Sequence, residues 1–270
     1  MHELNDPKRI AQCARIRDMI RQVAADPAHE DDYYAESYHH WKLSPTIPLS
    51  EIEAFEKRAG IELPENYVYY LTKVGGGGAS PGTGFSDFKS EWESYDGLQD
   101  ISEQLTQVMT KAEWEERYGG HEYEEPGTIN LCAMDITFVA FLIVNGPMRG
   151  HVVYLDWDGD CAPMWPKGSS DFLDWNENFY SELLAGYEIY PTWRFMWQAP
   201  GNTKAMVRTF KQARQAGDLA CQKEIVLSFC KFKTLPKAAE PFFADIQDPE
   251  LQKCVEDVRT YFKKKASGGK

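Results

Sequence analysis

Apolar residues recur at steps of three and four positions near the start of the chain, a spacing that predicts one buried face of a helix. The residues of this face are Ile10, Cys13, Ile16, Ile20 and Val23. Asp6 and Pro7 supply an N-cap and a first helical residue, and Pro27 ends the helix. The polar, acidic and aromatic residues 28–40 that follow predict a loop.

Two shorter helices are predicted between residues 50 and 75. Ser50 and Glu53 have the spacing of a capping box, and Gly60 provides a stop for this first helix. The second helix starts at Pro64 and stops at Gly75. The inward residues are Ile52, Phe55 and Ala59 in the first helix and Tyr67, Leu71 and Val74 in the second.

Three apolar runs beyond residue 128 predict β-strands. They are Ile129–Met134, Thr137–Val144 and His151–Trp157. The second and third flank a turn sequence at residues 145–150, so they are expected to pair as an antiparallel hairpin. A helix capped by Ser169 or Ser170 follows, and residues 101–118 also have helical potential. The inward residues of the capped helix are Phe172, Trp175, Phe179 and Leu183.

After about Tyr187 the pattern is helical only. The predicted helices are Thr203–Ala216, Leu219–Phe232, Pro236–Ala244 and Pro249–Lys264. The charge changes near the same boundary, because residues 1–185 have a net charge of −19 and residues 186–270 a net charge of +6.

The net charge of the whole chain is −13. A negative surface disfavours direct binding to nucleic acid, which requires a basic footprint. It favours a basic protein partner, because opposite fields steer association, although acidity alone also serves solubility.

The segment from Asp87 to Glu125 is the strongest candidate for a binding surface, since it has 12 acidic and 3 basic residues with Trp and Tyr interleaved. A solvated face with inward aromatic rings would give the same pattern. The functional interpretation is a carboxylate and aromatic surface that blocks the basic cleft of a protein partner. The candidate partner-binding residues, including a group after the third predicted strand, are Asp87, Glu91, Trp92, Glu93, Tyr95, Asp96, Glu115, Glu116, Glu122, Glu124, Asp156, Trp157, Asp158 and Asp160.

Known catalytic and ligand-binding motifs are incomplete in this sequence. Residues 75–84 are glycine-rich but contain no lysine for a phosphate loop. Residues 156–160 begin like a calcium loop, but Cys161 and Lys167 stand where that loop needs glycine and a bidentate carboxylate. His121 lacks the second histidine of a zinc motif. We therefore predict no catalytic, cofactor-binding or metal-binding residue.

The cysteines and the hydropathy pattern indicate the cellular compartment in which the protein is expected. The six cysteines form no Cys-x-x-Cys pair and lie in apolar stretches, as expected for reduced core thiols. The sequence shows neither a signal-peptide pattern nor a membrane-length apolar run. These features predict a cytoplasmic protein.

The run LSEIEAFEKRAGIELPENYVYYLTKVGGGG, from Leu49 to Gly78, resembles the opening signature of the SUKH superfamily. That signature has a capped helix, a Gly-x-x-Leu-Pro turn, a Tyr-bearing helix and a terminal Asn-Gly-Gly. The matching residues are Gly60, Leu63, Pro64, Tyr67, Leu71 and the glycines from Gly75, whereas Val74 stands where Asn is usual. Further along, residues 150–154, Asp156 and Asp158 and the serine-capped helix also fit.

The resemblance implies an α+β fold, a twisted antiparallel sheet packed by helices, followed here by a C-terminal all-helical extension. The predicted organisation is an N-terminal helix and acidic loop at 1–43, a SUKH-like domain at 44–186, the helical extension at 187–264 and a flexible tail at 265–270.

The resemblance also implies function. The superfamily is rich in immunity proteins of bacterial toxin systems and includes a fungal regulator of cell-wall synthesis, and both act by protein binding. It implies a non-enzymatic immunity protein, without a cofactor, that binds a cognate cytoplasm-acting toxin stoichiometrically. A regulatory scaffold with several partners is the alternative, and a metal-dependent hydrolase using Asp156, Asp158 and Asp160 is a third interpretation.

Overall fold

The computed structural model describes residues 2–29, 35–88, 102–109, 111–119, 127–158, 161–188, 199 and 201–267. The chain divides into two compact units, Met1–Tyr180 and Ser181–Lys270. The first combines helices with a three-stranded antiparallel sheet, and the C-terminal part is helical. This arrangement confirms the predicted fold class.

The N-terminal helix α1 (Pro7–Ala25) forms as predicted. The Asp6 side chain accepts a hydrogen bond from the Lys8 N–H and so caps the first turn. Four of the five predicted inward residues are buried, namely Cys13, Ile16, Ile20 and Val23. Ile10 is instead 42% exposed, because the buried face begins one turn later.

Helix α2 (Leu49–Ala59) starts without the predicted capping box. Its N-cap is Pro48, and no side chain caps the helix. Ser50 is already inside the first turn, so it cannot act as the N-cap. Gly60 ends the helix with a φ of 70°, as its sequence position predicted. Helix α3 (Glu65–Lys73) follows.

Two other predictions for the first unit need correction. The predicted loop at residues 28–40 contains a 3-10 turn at Pro27–His29 and a π turn at Ala35–His39. The helical potential of residues 101–118 is realised as a 3-10 turn at Glu103–Leu105 and as helix α4 (Lys111–Tyr118).

The sheet has the order β1 (Thr128–Ala133), β2 (Phe138–Ile143), β3 (Val152–Asp156), with antiparallel pairing throughout. The β2–β3 hairpin is therefore confirmed, with Phe138 opposite Asp156. A register shift between Asn130 and Cys132 interrupts the β1–β2 pairing.

Both faces of the sheet are buried, which explains why the strand sequences are continuous apolar runs. One face packs against Leu105 and comprises Val139, Phe141, Ile143, Val153 and Leu155. On the other face, the Tyr154 hydroxyl accepts a 2.6 Å hydrogen bond from the Trp175 ring nitrogen.

Trp175 belongs to helix α5 (Phe172–Leu184). The predicted inward residues of this helix, Phe172, Trp175, Phe179 and Leu183, are all buried. The cap is not a serine, because Asp171 accepts the Asp174 N–H at 2.9 Å. The Ser170 hydroxyl instead hydrogen-bonds the Asp174 side chain.

Polar side chains attach α1 to the start of α5. Arg9 forms an ion pair with Asp171, and the Gln12 amide donates to Asp174 at 2.8 Å. Burial would raise the pKa of Asp174, but hydrogen bonds from Ser170 and Gln12 outweigh it and lower the pKa. Helix α1 is therefore part of the first compact unit.

The second unit contains helices α6 (Thr203–Gln215), α7 (Leu219–Leu227), α8 (Ala239–Ala244) and α9 (Pro249–Ala266). A 3-10 turn at Ser228–Lys231 continues α7, and α8 begins three residues after the predicted Pro236 start. Side chains cap three of these helices, namely those of Asn202, Asp218 and Asp248. The core of the unit includes Met206, Phe210, Ile225, Val226, Phe229, Phe243, Leu251 and Val258.

Candidate interaction site at one end of the sheet

The β1–β2 turn and the end of β3 lie side by side at one end of the sheet. In the turn, the Met134 N–H donates to the Phe138 carbonyl at 2.7 Å, and the Ile136 N–H donates to the Asp135 carboxylate at 2.8 Å. The Trp157 N–H then donates to the Thr137 carbonyl at 2.9 Å. Because of this bond, residues 135–137 and 157–158 form one continuous surface, which we call the sheet-end surface.

Two large apolar side chains are exposed on the sheet-end surface. Ile136 is 92% exposed and Trp157 is 56% exposed. Asp135 is partly exposed and Asp158 is exposed beside them. Apolar anchors with a polar rim are typical of protein-binding sites, and tryptophan is enriched among the residues that contribute most to affinity.

The glycine-rich residues 75–84 support the β1 end of this surface. The Thr83 N–H donates to the Ala133 carbonyl at 2.9 Å, and the Ala133 N–H donates to the Thr83 hydroxyl at 3.2 Å. Gly82 has a φ of 59°, and a Cβ atom there would overlap the Ala133 carbonyl oxygen. The close approach of two backbones accounts for glycine at this position.

A buried histidine lies behind the glycine-rich residues. His39 is 7% exposed, its Nδ1 accepts the Trp41 N–H at 3.1 Å, and its ring hydrogen-bonds the Gly82 backbone. Burial lowers the pKa of His39 from 6.5 to about 4, so the ring is neutral at pH 7. Its neighbour His40 is exposed, so the two adjacent histidines do not form a joint metal site.

Acidification is expected to destabilise the first unit through His39. The unfolded chain takes up this proton near pH 6.5 and the folded chain near pH 4, so stability present above pH 6.5 is lost as the pH falls towards 4. The loss attributable to His39 is up to about 3 kcal/mol. Urea unfolding at several pH values should show a shallower pH dependence for His39→Gln than for wild type, whereas His40→Gln should match wild type. Equal pH dependence in all three proteins would contradict this assignment.

Residues 46–178 match the sequence model of the SMI1/KNR4 family (SUKH-1). These residues form a domain of the SUKH superfamily. The matched range contains α2, α3, the glycine-rich residues, the sheet and the first part of α5. The sheet-end surface is therefore part of the SUKH domain.

Helix α1 and the helices of the second unit lie outside the matched range. No curated protein gives a significant match to the chain, and neither does any solved structure. The family assignment therefore rests on the SUKH domain itself.

The structure brings together only part of the predicted binding set. Trp157 and Asp158 lie on the sheet-end surface, Asp87 is exposed after the glycine-rich residues, and Glu115 and Glu116 are exposed on α4. Trp114, which adjoins them, is 1% exposed, so this aromatic residue of the acidic segment turns inward. The predicted residues Glu91, Trp92, Glu93, Tyr95, Asp96, Glu122, Glu124 and Asp160 lie outside the described residues.

Asp156 differs from the other described members of the predicted set. It is 4% exposed, and its carboxylate accepts the Asp158 N–H at 3.3 Å. Because it is the last residue of β3, paired opposite Phe138, it lies within the fold. We therefore assign Asp156 to the support of the turn rather than to the contact surface.

The sequence analysis did not select Ile136. The sequence did indicate that Ile136 is exposed, because Asp135 and Ile136 are the two residues between the first and second predicted strands. An isoleucine in so short a turn has no sheet face on which to be buried, and its exposure follows from this position.

Other site types find no support within the described ranges. No three His, Cys, Asp or Glu side chains converge there in a way that could hold a metal ion. None of the helices traced in these ranges is both long enough and apolar enough to cross a bilayer.

Proposed function

We propose that this chain is an immunity protein that neutralises a cognate toxin by binding it through the SUKH domain. The observation that carries the proposal is the pair of exposed apolar residues, Ile136 and Trp157, flanked by Asp135 and Asp158 on a SUKH-1 domain. Apolar anchors supply affinity once desolvated, and the carboxylates favour a basic partner.

The proposed mechanism is occlusion of the toxin's working surface. Toxins that act on nucleic acid need a basic cleft for phosphates. The positive electrostatic field of such a cleft would attract exposed carboxylates and raise the association rate. The carboxylates concerned are those of Asp87, Glu115, Glu116 and Asp158. Trp157 and Ile136 would then slow dissociation, because buried apolar contacts act mainly on the off-rate. The toxin is expected to act in the cytoplasm.

Loss of the apolar anchors is expected to weaken toxin binding. Trp157→Ala should raise the dissociation constant by about 30-fold, which corresponds to about 2 kcal/mol for a central tryptophan. Ile136→Ala should have a smaller effect in the same direction. Ile10→Ala is the matched control, since Ile10 is a 42% exposed apolar residue of α1 in the same unit.

The experiment begins with affinity purification of the full chain from its native cells at low and high salt. A single stoichiometric partner with a toxin-like domain, released at high salt, is the expected result. That partner should be toxic when expressed alone and harmless when co-expressed with the wild-type chain. Isothermal titration calorimetry with the purified partner then compares the three variants. Equal affinity of Trp157→Ala and Ile10→Ala would show that the sheet-end surface does not contribute to the interface.

The regulatory scaffold is the second candidate, and the helical unit outside the SUKH match favours it. Such a unit offers surface for a further partner. Many substoichiometric partners in the same purification, without a toxic protein among them, would support the scaffold and contradict the immunity role.

A further inference from the structure

Helix α6 in the second unit has two chemically distinct faces. Met206, Phe210 and Ala213 are buried, with exposures of 0%, 3% and 7%. Their spacing of four and three residues marks the core side of the helix. The exposed positions include every charged residue of the helix, namely Lys204, Arg208, Lys211 and Arg214. We call these four residues the α6 basic face.

The α6 basic face contains no compensating charge. Helix α6 has no acidic residue, and within the described parts of the chain none of its four cations forms an ion pair. Four cations elsewhere in the same unit do have carboxylate partners. They form the pairs Arg259–Glu240, Lys265–Glu188, Lys223–Glu250 and Lys231–Glu182.

This arrangement is unfavourable for the isolated helix. Lys204 and Arg208 are four residues apart, and Arg208, Lys211 and Arg214 follow at steps of three, so like charges are neighbours along the face. Lys204 also lies in the first turn, where the helix dipole disfavours a cation. An anionic partner would relieve both repulsions at once.

We propose that the α6 basic face binds a short acidic segment of a partner protein. From Lys204 to Arg214 the face is about 15 Å long at 1.5 Å per residue, a length that a short run of Asp and Glu residues can cover. A polynucleotide fits less well, because it extends beyond this short face. Stacking on bases is also excluded on this helix, since its one aromatic residue, Phe210, is buried.

The inferred partner differs in charge from the proposed toxin. The sheet-end surface and α4 present carboxylates to a basic protein, whereas the α6 basic face selects an acidic one. The inference does not depend on the toxin, because variants of α6 leave Ile136 and Trp157 unchanged.

The test uses the full chain and a fluorescein-labelled decaglutamate peptide, with binding followed by fluorescence anisotropy at about 50 mM and about 300 mM salt. The α6 variant combines Lys204→Gln, Arg208→Gln, Lys211→Gln and Arg214→Gln. The control variant has the same change in net charge at other exposed lysines of the second unit, namely Lys237→Gln, Lys253→Gln, Lys263→Gln and Lys264→Gln. Circular dichroism and thermal unfolding should show that both variants remain folded.

We expect saturable binding to wild type at low salt, at least a tenfold loss in the α6 variant and less than a twofold loss in the control. Absence of binding, or equal loss in both variants, would overturn the proposal. Tighter binding of a duplex DNA of about 20 base pairs, lost in the α6 variant, would identify nucleic acid as the partner of this face and overturn the proposal. Salt-sensitive self-association in sedimentation velocity, abolished only in the α6 variant, would make a second copy the occupant and likewise overturn it.

Discussion

Replacing Lys231 by methionine is expected to lower the free energy of unfolding of the second unit by about 3–5 kcal/mol. Lys231 is 2% exposed, and its ammonium lies 3.3 Å from the Glu182 carboxylate. It also donates to the Ala199 carbonyl and lies 4.2 Å from the centre of the Tyr187 ring. Methionine fills a similar volume but leaves the Glu182 charge buried without its cation.

The electrostatics of this pair explain the size of the effect. Burial lowers the pKa of Lys231, and the attraction of Glu182 opposes that shift. Burial likewise raises the pKa of Glu182, which the charge of Lys231 and the Gly201 N–H oppose. Each charge is therefore tolerated because the other is present, and removing one exposes the remaining one to the full desolvation penalty.

A double-mutant cycle with denaturant unfolding measures the coupling. Glu182→Leu combined with Lys231→Met should cost well below the sum of the single changes, because no unpaired charge remains. Lys223→Met is the matched control, since the Lys223–Glu250 pair is solvent-exposed, and its effect should be close to zero. Additive costs in the Glu182–Lys231 cycle would show that the two residues do not stabilise each other.

The Glu182–Lys231 pair also shows where sequence reasoning stops. The two residues are 49 positions apart, and neither neighbourhood has a pattern that predicts a buried ion pair. Elements with a periodic pattern of apolar residues could be predicted. The buried stripe of α1, the three strands and the inward face of α5 were predicted because each depends on a repeat of neighbouring residues.

The exposure of the predicted binding residues was only partly predictable for a related reason. Composition selected Trp157 and Asp158, which are exposed, but also Asp156, whose burial depends on strand register. Ile136 was missed because an apolar residue next to a strand looks like core until the turn is fixed. Helix starts were uncertain too, since Pro48 rather than the Ser50–Glu53 pair defines the start of α2.

Gly82→Ala is expected to destabilise the SUKH domain by about 2–5 kcal/mol. The left-handed backbone at Gly82, with a φ of 59°, costs an alanine about 1–2 kcal/mol. The added Cβ would also overlap the Ala133 carbonyl oxygen, and relief of an overpacked contact costs about 1–3 kcal/mol more. The overlap is with backbone, so no side-chain rotation can remove it.

Gly60→Ala separates the two contributions. Gly60 has a φ of 70°, and nothing lies within 4 Å of the position its Cβ would occupy. This control should therefore lose only the conformational part, about 1–2 kcal/mol. The difference between the two variants in urea unfolding measures the steric part. Equal losses would show that the backbone around Gly82 rearranges to accommodate the added Cβ atom without a further loss of stability.

The same substitution connects the fold to the proposed interaction. Ala133 is the last residue of β1 and is bonded to Thr83, so displacement of Gly82 moves the strand end that leads into Asp135 and Ile136. We therefore expect Gly82→Ala to weaken toxin binding even under conditions where the protein stays folded, whereas Gly60→Ala should not. Calorimetry with the purified partner decides this. Full affinity in folded Gly82→Ala would mean that the glycine-rich residues serve stability alone.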